Sequence, residues 1–280
     1  MYELNKYKNN GFATPIPVLS KQEATELAGR VQSLKNEDAE VAERALGTNC
    51  HLLLPAFYNL TSHSLLLEVV EQVLGPDILL WSTDFFIKAP RSKGFVSWHQ
   101  DSTYWGLEPP DIVTAWLALT PSNLENGCMQ LIPGSHKKGQ LDHHDTFAES
   151  NMLSRGQVLE VDLRGETIVA VELQPGEMSL HHVRIFHSSG ENESDIPRIG
   201  YVMRFIPTYV RQKCGRTHAI LVRGQDQFQH FDTPPPPPLT QLGEAEWVMH
   251  QQTLKRLNVV VLKDASQQSK VRGHQILNNE

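Results

Sequence analysis

Apolar residues in the N-terminal part of the chain recur at helical spacing. After a candidate N-cap at Ser20, they return every three or four positions from Ala24 to Leu34, which predicts an amphipathic helix over residues 20–35. The apolar stretch SLLLEVVEQVL, residues 64–74, predicts a second helix that ends before Gly75-Pro76. The N-terminal helices are therefore predicted to lie within about residues 20–75.

From residue 78 to about residue 210 the pattern changes to short apolar segments separated by turns. Pro109-Pro110, Pro133-Gly134 and Pro175-Gly176 separate segments such as ILLWSTDFFIK, IVTAWLALT, TIVAVEL and IGYVMRFI. These segments predict β-strands. Many short strands without long helices between them favour a β-sandwich or barrel. Residues 134–156 carry little strand signal and are predicted to form a mobile flap.

Five consecutive prolines occupy positions 234–238. They favour an extended polyproline spacer that leads into a helix at about 241–257, although a ligand for an SH3-type domain is the alternative. Because the sequence shows no internal repeat and no clear boundary, we predict a single domain over residues 1–280, with the proline run and last helix as an appendage.

Composition narrows the possible partners. The 280 residues are 40% hydrophobic and 20% charged, with a net charge of −7, which disfavours nucleic acid because phosphates need a basic surface. No window approaches the roughly 18 apolar residues of a membrane span, and the N-terminus lacks an apolar signal core. The odd number of cysteines, three, without a CxxC motif indicates free thiols, so we expect a cytoplasmic protein. Oligomeric state is not predictable.

The stretch FVSWHQDSTYW, residues 95–105, holds a candidate pair of metal ligands. His99 and Asp101 are two positions apart, and such residues share one face of a β-strand. A third ligand from a distant strand would complete one face of an octahedron and leave three positions open. The pair alone decides nothing, since HxD occurs often by chance.

Candidates for the third ligand are the later histidines His136, His143, His144, His181, His182 and His187. His187 is favoured because it ends an apolar strand and precedes two small serines. Arg198 follows eleven residues later and offers a two-pronged donor for a carboxylate.

This ordered set of motifs resembles the phytanoyl-CoA dioxygenase family of iron(II)- and 2-oxoglutarate-dependent oxygenases. The segments WHQD, NGCMQLIPGSHKKG, LQPGEMSLHH and FHSSGENESDIPR, within residues 8–210, look like that family's segments in order and spacing. The resemblance implies a mainly β fold with flanking helices, a double-stranded β-helix of the jelly-roll or cupin type, with its core at about 78–210.

The resemblance also implies roles for individual residues. His99, Asp101 and His187 would bind iron and form the catalytic centre. Arg198 would hold the distal carboxylate of 2-oxoglutarate with help from Ser189. Two further positions, Trp116 and Lys88, match positions of the co-substrate pocket. The residues expected to contact substrate are Tyr104, Trp105, His182 and Arg204.

With O2 as the second co-substrate, the implied reaction is hydroxylation of an aliphatic C–H group, with release of succinate and CO2. The substrate is expected to be a small or medium-sized metabolite, because no basic cluster for a CoA diphosphate is evident. Since Asp101 is present, a halogenase is not expected, because halogenating relatives replace this carboxylate with a small residue.

Other interpretations remain open from the sequence. The chain could be a non-catalytic barrel that senses iron or 2-oxoglutarate or binds a partner, although all three ligands and Arg198 are retained. It could be a zinc hydrolase, although Arg198 has no place there. Arg198 could be a surface charge that forms an ion pair with Asp195 or Glu193. The aromatic residues could be plain core residues. His143-His144-Asp145 is interpreted as a solvated flap segment rather than a second metal site.

Residues 134–156 are further predicted to cover the iron mouth, with Tyr104 and Trp105 beneath them as an aromatic wall. Long polar segments in a compact domain are often functional lids. An oxidant formed at such a site would need protection from water and stray reductants.

Overall fold

The computed structural model describes residues 6–103, 105–213 and 215–261. Its N-terminal helices are α1 (Tyr7–Asn10), α2 (Lys21–Glu37), α3 (Ala39–Ala45), α4 (Pro55–Leu60) and α5 (Ser64–Leu74). Both helices predicted from the apolar spacing are present. A reciprocal capping box starts α2, because the hydroxyl of Ser20 accepts from the Glu23 amide and the Glu23 carboxylate accepts from the Ser20 amide. Such a cap contributes about 1 kcal/mol.

Antiparallel strands follow. They are β1 (Phe12–Pro17), β2 (Ile78–Lys88), β3 (Val96–His99), β4 (Leu107–Glu108), β5 (Val113–Ala118), β6 (Met129–Leu131), β7 (His143–Asp145), β8 (Gln157–Leu159), β9 (Val169–Val171), β10 (Glu177–His182), β11 (His187–Ser189), β12 (Arg198–Pro207), β13 (Arg211–Gln212) and β14 (Ile220–Arg223). The major sheet has the order β1-β10-β5-β12-β2-β14, and the minor sheet has the order β3-β11-β6-β9. This arrangement is a jelly roll, which confirms the predicted fold class.

The major sheet separates a hydrophobic core from a cavity. On β12, Ile199, Tyr201, Met203 and Phe205 belong to the core that also contains buried residues of α2 to α5. The alternate residues Arg198, Val202 and Arg204 line the cavity instead. Because side chains of a strand alternate between its two faces, one apolar strand supports both the core and the site.

The predicted flap differs from its expectation. His143–Asp145 forms β7, which pairs with β8, and Asp145 makes an ion pair of 2.5 Å with the buried Arg155. The run is therefore a short strand rather than an irregular flap segment, and His144 on it is exposed, as expected for a solvated segment. Its order comes from this ion pair and a short backbone ladder, neither of which leaves an apolar periodicity in the sequence.

The last described helix, α6 (Glu244–Val261), follows the proline run, whose residues 234–238 have no regular secondary structure. It contacts the N-terminal region, since the His250 ring lies 2.9 Å from the carbonyl oxygen of Thr48. Across the described ranges, no helix combines the length and the apolar character needed to cross a membrane. Cys50 and Cys128 are free and buried, whereas Cys214 lies outside the described residues.

Candidate metal centre

Three side chains converge where the two main sheets face the cavity. His99 ends β3, and His187 begins β11 directly opposite it in the antiparallel register. Asp101 Oδ1 lies 3.3 Å from His99 Nε2 and 3.8 Å from His187 Nε2. The three potential ligand atoms all lie within 4.8 Å of one another. The structure therefore brings together the three residues predicted from the sequence.

Asp101 reaches this position by a different route from the one predicted. The strand stops at His99, and Asp101 begins a short 3-10 turn. Its backbone amide donates to the carbonyl oxygen of Val183, at 3.0 Å. The turn, held by this hydrogen bond, aims the carboxylate at the two histidines, rather than the alternation of a continuous strand.

Both imidazoles are oriented by backbone carbonyl groups. His99 Nδ1 lies 2.9 Å from the oxygen of Ser97 and 3.1 Å from that of His187. His187 Nδ1 lies 3.1 Å from the oxygen of Ile185. Because a carbonyl oxygen can only accept, each ring must carry its proton on Nδ1 and present the lone pair of Nε2 to the centre.

The ionisation states also suit a metal. Burial alone would raise the pKa of Asp101, but its interactions with the His181, His99 and His187 rings hold that pKa well below 3.8. Burial, and then the charge of His99, keep the pKa of His187 well below 6.5. At neutral pH the centre therefore offers an ionised carboxylate and a neutral imidazole, the forms in which these groups bind metals.

Two imidazole nitrogens and one carboxylate oxygen on one side of an open cavity fit a redox-active first-row metal. This donor set is typical of non-haem iron(II) oxygenases, which keep positions open for other ligands. The residues present therefore fit iron(II).

Two buried basic side chains, of which Arg198 lines the cavity, are neighbours on the major sheet. Arg198 and Lys88 are partners in the register of β12 and β2, and their exposed fractions are 2% and 0%. Burial, and then the charge of Arg198, lower the pKa of Lys88 to about 7. Within the described ranges, neither forms an ion pair with an acidic side chain. Because an uncompensated buried charge is costly, this end of the cavity fits an anion.

Neutral groups accept hydrogen bonds from both Lys88 and Arg198. Lys88 Nζ donates to Ser189 Oγ at 2.7 Å and to the carbonyl oxygen of Gly190. Arg198 donates to the carbonyl oxygen of Gly127 through Nη1, while its buried Nε has no hydrogen-bond partner among the described residues. Asp195 pairs with Arg91 at 2.8 Å rather than with Arg198. The alternative that Arg198 is a surface charge is therefore wrong.

Trp116 forms the wall beside Arg198. Its ring centroid lies 5.4 Å from the guanidinium carbon, and its indole covers Gly200, where a Cβ would lie 2.0 Å from Cζ2. Glycine at position 200 is therefore what allows the indole to lie against β12.

We predict that Gly200→Ala pushes Trp116 away from Arg198. Overpacking of this kind costs about 1–3 kcal/mol of stability, and the displaced indole should weaken binding of an anion at Arg198. Urea unfolding and titration with 2-oxoglutarate measure the two effects. Gly29→Ala is the control, because it lies in α2 with nothing within 4 Å of an added Cβ, and it should gain up to about 1 kcal/mol. A stable Gly200→Ala variant with unchanged anion binding would contradict the packing argument.

Of the predicted substrate residues, Arg204 lines the cavity. It pairs with Asp84 and lies 3.2 Å from Ser82 Oγ. Trp105 covers it, with the guanidinium carbon 4.8 Å from the ring centroid. Tyr104 lies outside the described residues.

The expectation that His182 faces the cavity is wrong. Its ring packs against His136, with centroids 5.1 Å apart, and its Nδ1 accepts from the Arg184 amide. His181 lines the cavity instead, because it lies opposite Thr114 in the register of β10 and β5, and directly opposed residues share a face. The sequence shows two adjacent histidines but not which face is inside, so both His181 and Thr114 were missed.

The predicted lid segment supports the ligand turn from outside in this structure. His143 Nε2 accepts from the Gln100 amide at 2.9 Å, and the Gln100 side chain donates to the Gly139 carbonyl oxygen at 2.8 Å. None of the described residues that line the cavity comes from 134–156. Closure over the mouth stays a prediction, which limited proteolysis of this segment with and without substrate would test.

Comparison with known proteins finds a matching family and relatives of similar sequence. The model of the family described as phytanoyl-CoA dioxygenase (PhyH) matches residues 7–200. A protein of Stutzerimonas stutzeri named as a probable alpha-ketoglutarate-dependent hypophosphite dioxygenase is 32% identical over 55% of this chain and 55% of its own. The chain thus spans about half the length of the curated relatives it matches.

Solved structures agree. The non-heme monooxygenase ThoJ, in its apo form, superposes with a TM-score of 0.83 and 29% identity, covering 92% of this chain and 97% of that one. The epimerase SnoN, in complex with Fe3+, alpha ketoglutarate and nogalamycin RO, has a TM-score of 0.62 and 20% identity, covering 86% and 94%; this likeness shows the fold. With the family model matching well over half of its residues, the chain belongs to the phytanoyl-CoA dioxygenase family.

Proposed function

We propose that this protein is an iron(II)- and 2-oxoglutarate-dependent oxygenase that hydroxylates an aliphatic C–H group of a small or medium-sized metabolite. One observation carries the proposal: a two-histidine, one-carboxylate donor set shares a cavity with a buried arginine that has no acidic partner among the described residues. A relative named as alpha-ketoglutarate-dependent and a similar structure named as a non-heme monooxygenase support it.

In this proposal His99, Asp101 and His187 hold the iron. Bound iron(II), with 2-oxoglutarate and O2, would supply the oxidising chemistry and release succinate and CO2. The chain contributes fixed ligands, since backbone carbonyls set both imidazole tautomers. Because all three protein ligands lie on one side, the other positions remain free for the co-substrates.

The pair Arg198 and Lys88 orients the co-substrate. The Arg198 guanidinium, with its unpartnered Nε, would donate to the carboxylate of 2-oxoglutarate distal to the iron. Ser189, hydrogen-bonded to Lys88, would stand beside that carboxylate, and Trp116 would exclude water from it. Desolvated charge pairs of this type are strong and directional.

The substrate side lies towards Arg204 and Trp105. Arg204 is neutralised by Asp84, so this end of the cavity is polar but close to neutral, which suits an uncharged or zwitterionic metabolite. The relatives' names point to different compounds, hypophosphite and phytanoyl-CoA, so they do not fix the substrate.

The test is turnover of 2-oxoglutarate by the purified full chain. Iron(II), 2-oxoglutarate and O2 together should give succinate and O2 uptake, and omission of iron should stop both. Binding of iron and 2-oxoglutarate without succinate, even when candidate metabolites are supplied, would favour a sensor. Hydrolytic activity with zinc alone would favour a hydrolase.

The support of the ligand turn by β7 gives a separate prediction. His143→Ala removes the acceptor for the Gln100 amide and should weaken metal binding by about tenfold, the lower end of the range for groups that orient metal ligands. Isothermal titration with Mn(II) measures the affinity. The control is His144→Ala, because His144 is exposed and pairs with Glu160. Equal affinity in the two variants would show that β7 does not support the ligand turn.

A further inference from the structure

His181 is a buried polar side chain to which the proposed function gives no role. It is 2% exposed, and neither of its ring nitrogens has a hydrogen-bond partner in the part of the chain that the structure describes. Its ring lies against His187, with centroids 4.9 Å apart, and it lines the same cavity. Since an unpaired buried polar group costs about 1–3 kcal/mol, such a residue calls for a functional explanation.

His181 faces the carboxylate of Asp101, which is therefore its candidate hydrogen-bond partner. Its Nε2 lies 3.7 Å from Asp101 Oδ2, and Thr114 Oγ1 donates to the same oxygen at 3.3 Å. Asp101 Oδ1 faces the other way, towards His99 and His187. One oxygen of the Asp101 carboxylate thus points to the metal site, and the other points to β5 and β10.

We propose that His181 is a positioning residue that donates from Nε2–H to Asp101 Oδ2 once metal is bound. With Thr114 it would hold Oδ2 away from the metal, so that Asp101 contributes one ligand atom and leaves the third open position free. Shortening of the 3.7 Å separation by less than about 1 Å brings it into hydrogen-bond range. The inference rests on the proposed function, because binding of the metal through one oxygen of Asp101 matters only if the open positions receive co-substrates.

Two other roles for His181 make different predictions. As a fourth metal ligand it would place a nitrogen among the ligand atoms, but among the described residues the atoms within 4.8 Å of one another are those of His99, Asp101 and His187. As a substrate contact alone, it would affect substrate use without changing the metal. Metal binding in the absence of substrate therefore separates the three roles.

The experiment compares His181→Asn with His181→Gln in the full chain. A glutamine amide nitrogen can occupy the place of imidazole Nε2, whereas an asparagine amide corresponds to Nδ1 and falls short of Asp101. Mn(II) affinity is measured by calorimetry, and Co(II) absorption reports the geometry at the metal. The matched control is His182→Asn, since His182 is the neighbour on the opposite face and its Nδ1 acceptor role can be taken by the asparagine oxygen.

We expect His181→Asn to bind Mn(II) about 10- to 100-fold more weakly and to change the Co(II) spectrum, while His181→Gln stays close to wild type. His182→Asn should match wild type in both measurements. Loss of binding in both His181 variants, as severe as in His187→Ala, would make His181 a ligand and overturn the inference. Wild-type affinity and spectrum in His181→Asn would also overturn it. If the wild-type chain bound no Mn(II) and formed no succinate, the proposed function itself would fail.

Discussion

Replacing His187 by alanine should abolish metal binding and every iron-dependent activity of this protein. The change removes one of the three proposed ligands and leaves the imidazole of His99 and the carboxylate of Asp101. Two protein ligands hold iron(II) poorly, so we expect the Mn(II) affinity to fall by more than about 100-fold, beyond the range for groups that only orient ligands. Calorimetry and succinate release measure the two effects.

A histidine outside the centre supplies the control. His144→Ala removes an exposed side chain that pairs with Glu160 and should leave metal binding and turnover unchanged. If metal still bound tightly to His187→Ala but was lost from a variant lacking both His143 and His144, the centre would lie in the β7 segment and our assignment would be refuted.

The second large effect is expected at the opposite end of the cavity. Arg198→Ala should raise the requirement for 2-oxoglutarate by more than about 100-fold, because removing one partner of a buried ion pair costs about 3–5 kcal/mol. Mn(II) affinity without 2-oxoglutarate should be unchanged, since Arg198 donates to the carbonyl oxygen of Gly127 and not to a proposed metal ligand. Titration of succinate formation against 2-oxoglutarate checks the first expectation and calorimetry the second.

Arg91→Ala is the matched control for this variant. Arg91 carries the same charge, but it is exposed and paired with Asp195, so its loss should leave the co-substrate requirement as in wild type. An Arg198→Ala variant with normal dependence on 2-oxoglutarate would show that another group, such as Lys88, carries the carboxylate.

Structure that depends on interactions between neighbouring residues was predictable from the sequence. The helix over residues 20–35 was predictable because apolar spacing and the Ser20 cap act within a few residues of each other. Many short apolar segments predicted a β-sandwich or barrel, whereas the resemblance to the family implied the jelly roll and the roles of residues 99, 101, 187 and 198. Arg198 is buried without an acidic partner among the described residues. This was not predictable, because Asp195 and Glu193 are close to Arg198 in sequence and could have paired with it.

The errors have a common origin in pairing between distant segments. His182 was preferred to His181 because an isolated strand with two adjacent histidines does not show which face is inside. The answer comes from the register of β10 with β5, which places His181 opposite Thr114. Similarly, β7 depends on pairing with β8 and on the Asp145–Arg155 ion pair, so a short polar run appeared to be a loop.

The sequence by itself thus determined the family, the fold class and the three candidate metal ligands, because these are recorded in periodicity and in the order of motifs. Only the tertiary structure decided that His99 Nε2 and His187 Nε2 are the free nitrogens, that Asp101 presents one oxygen to the centre and the other to His181 and Thr114, and that Gly200 makes room for Trp116. Each of these depends on atoms brought within a few ångströms by strand register, a relation between residues far apart in the chain that local pattern does not encode.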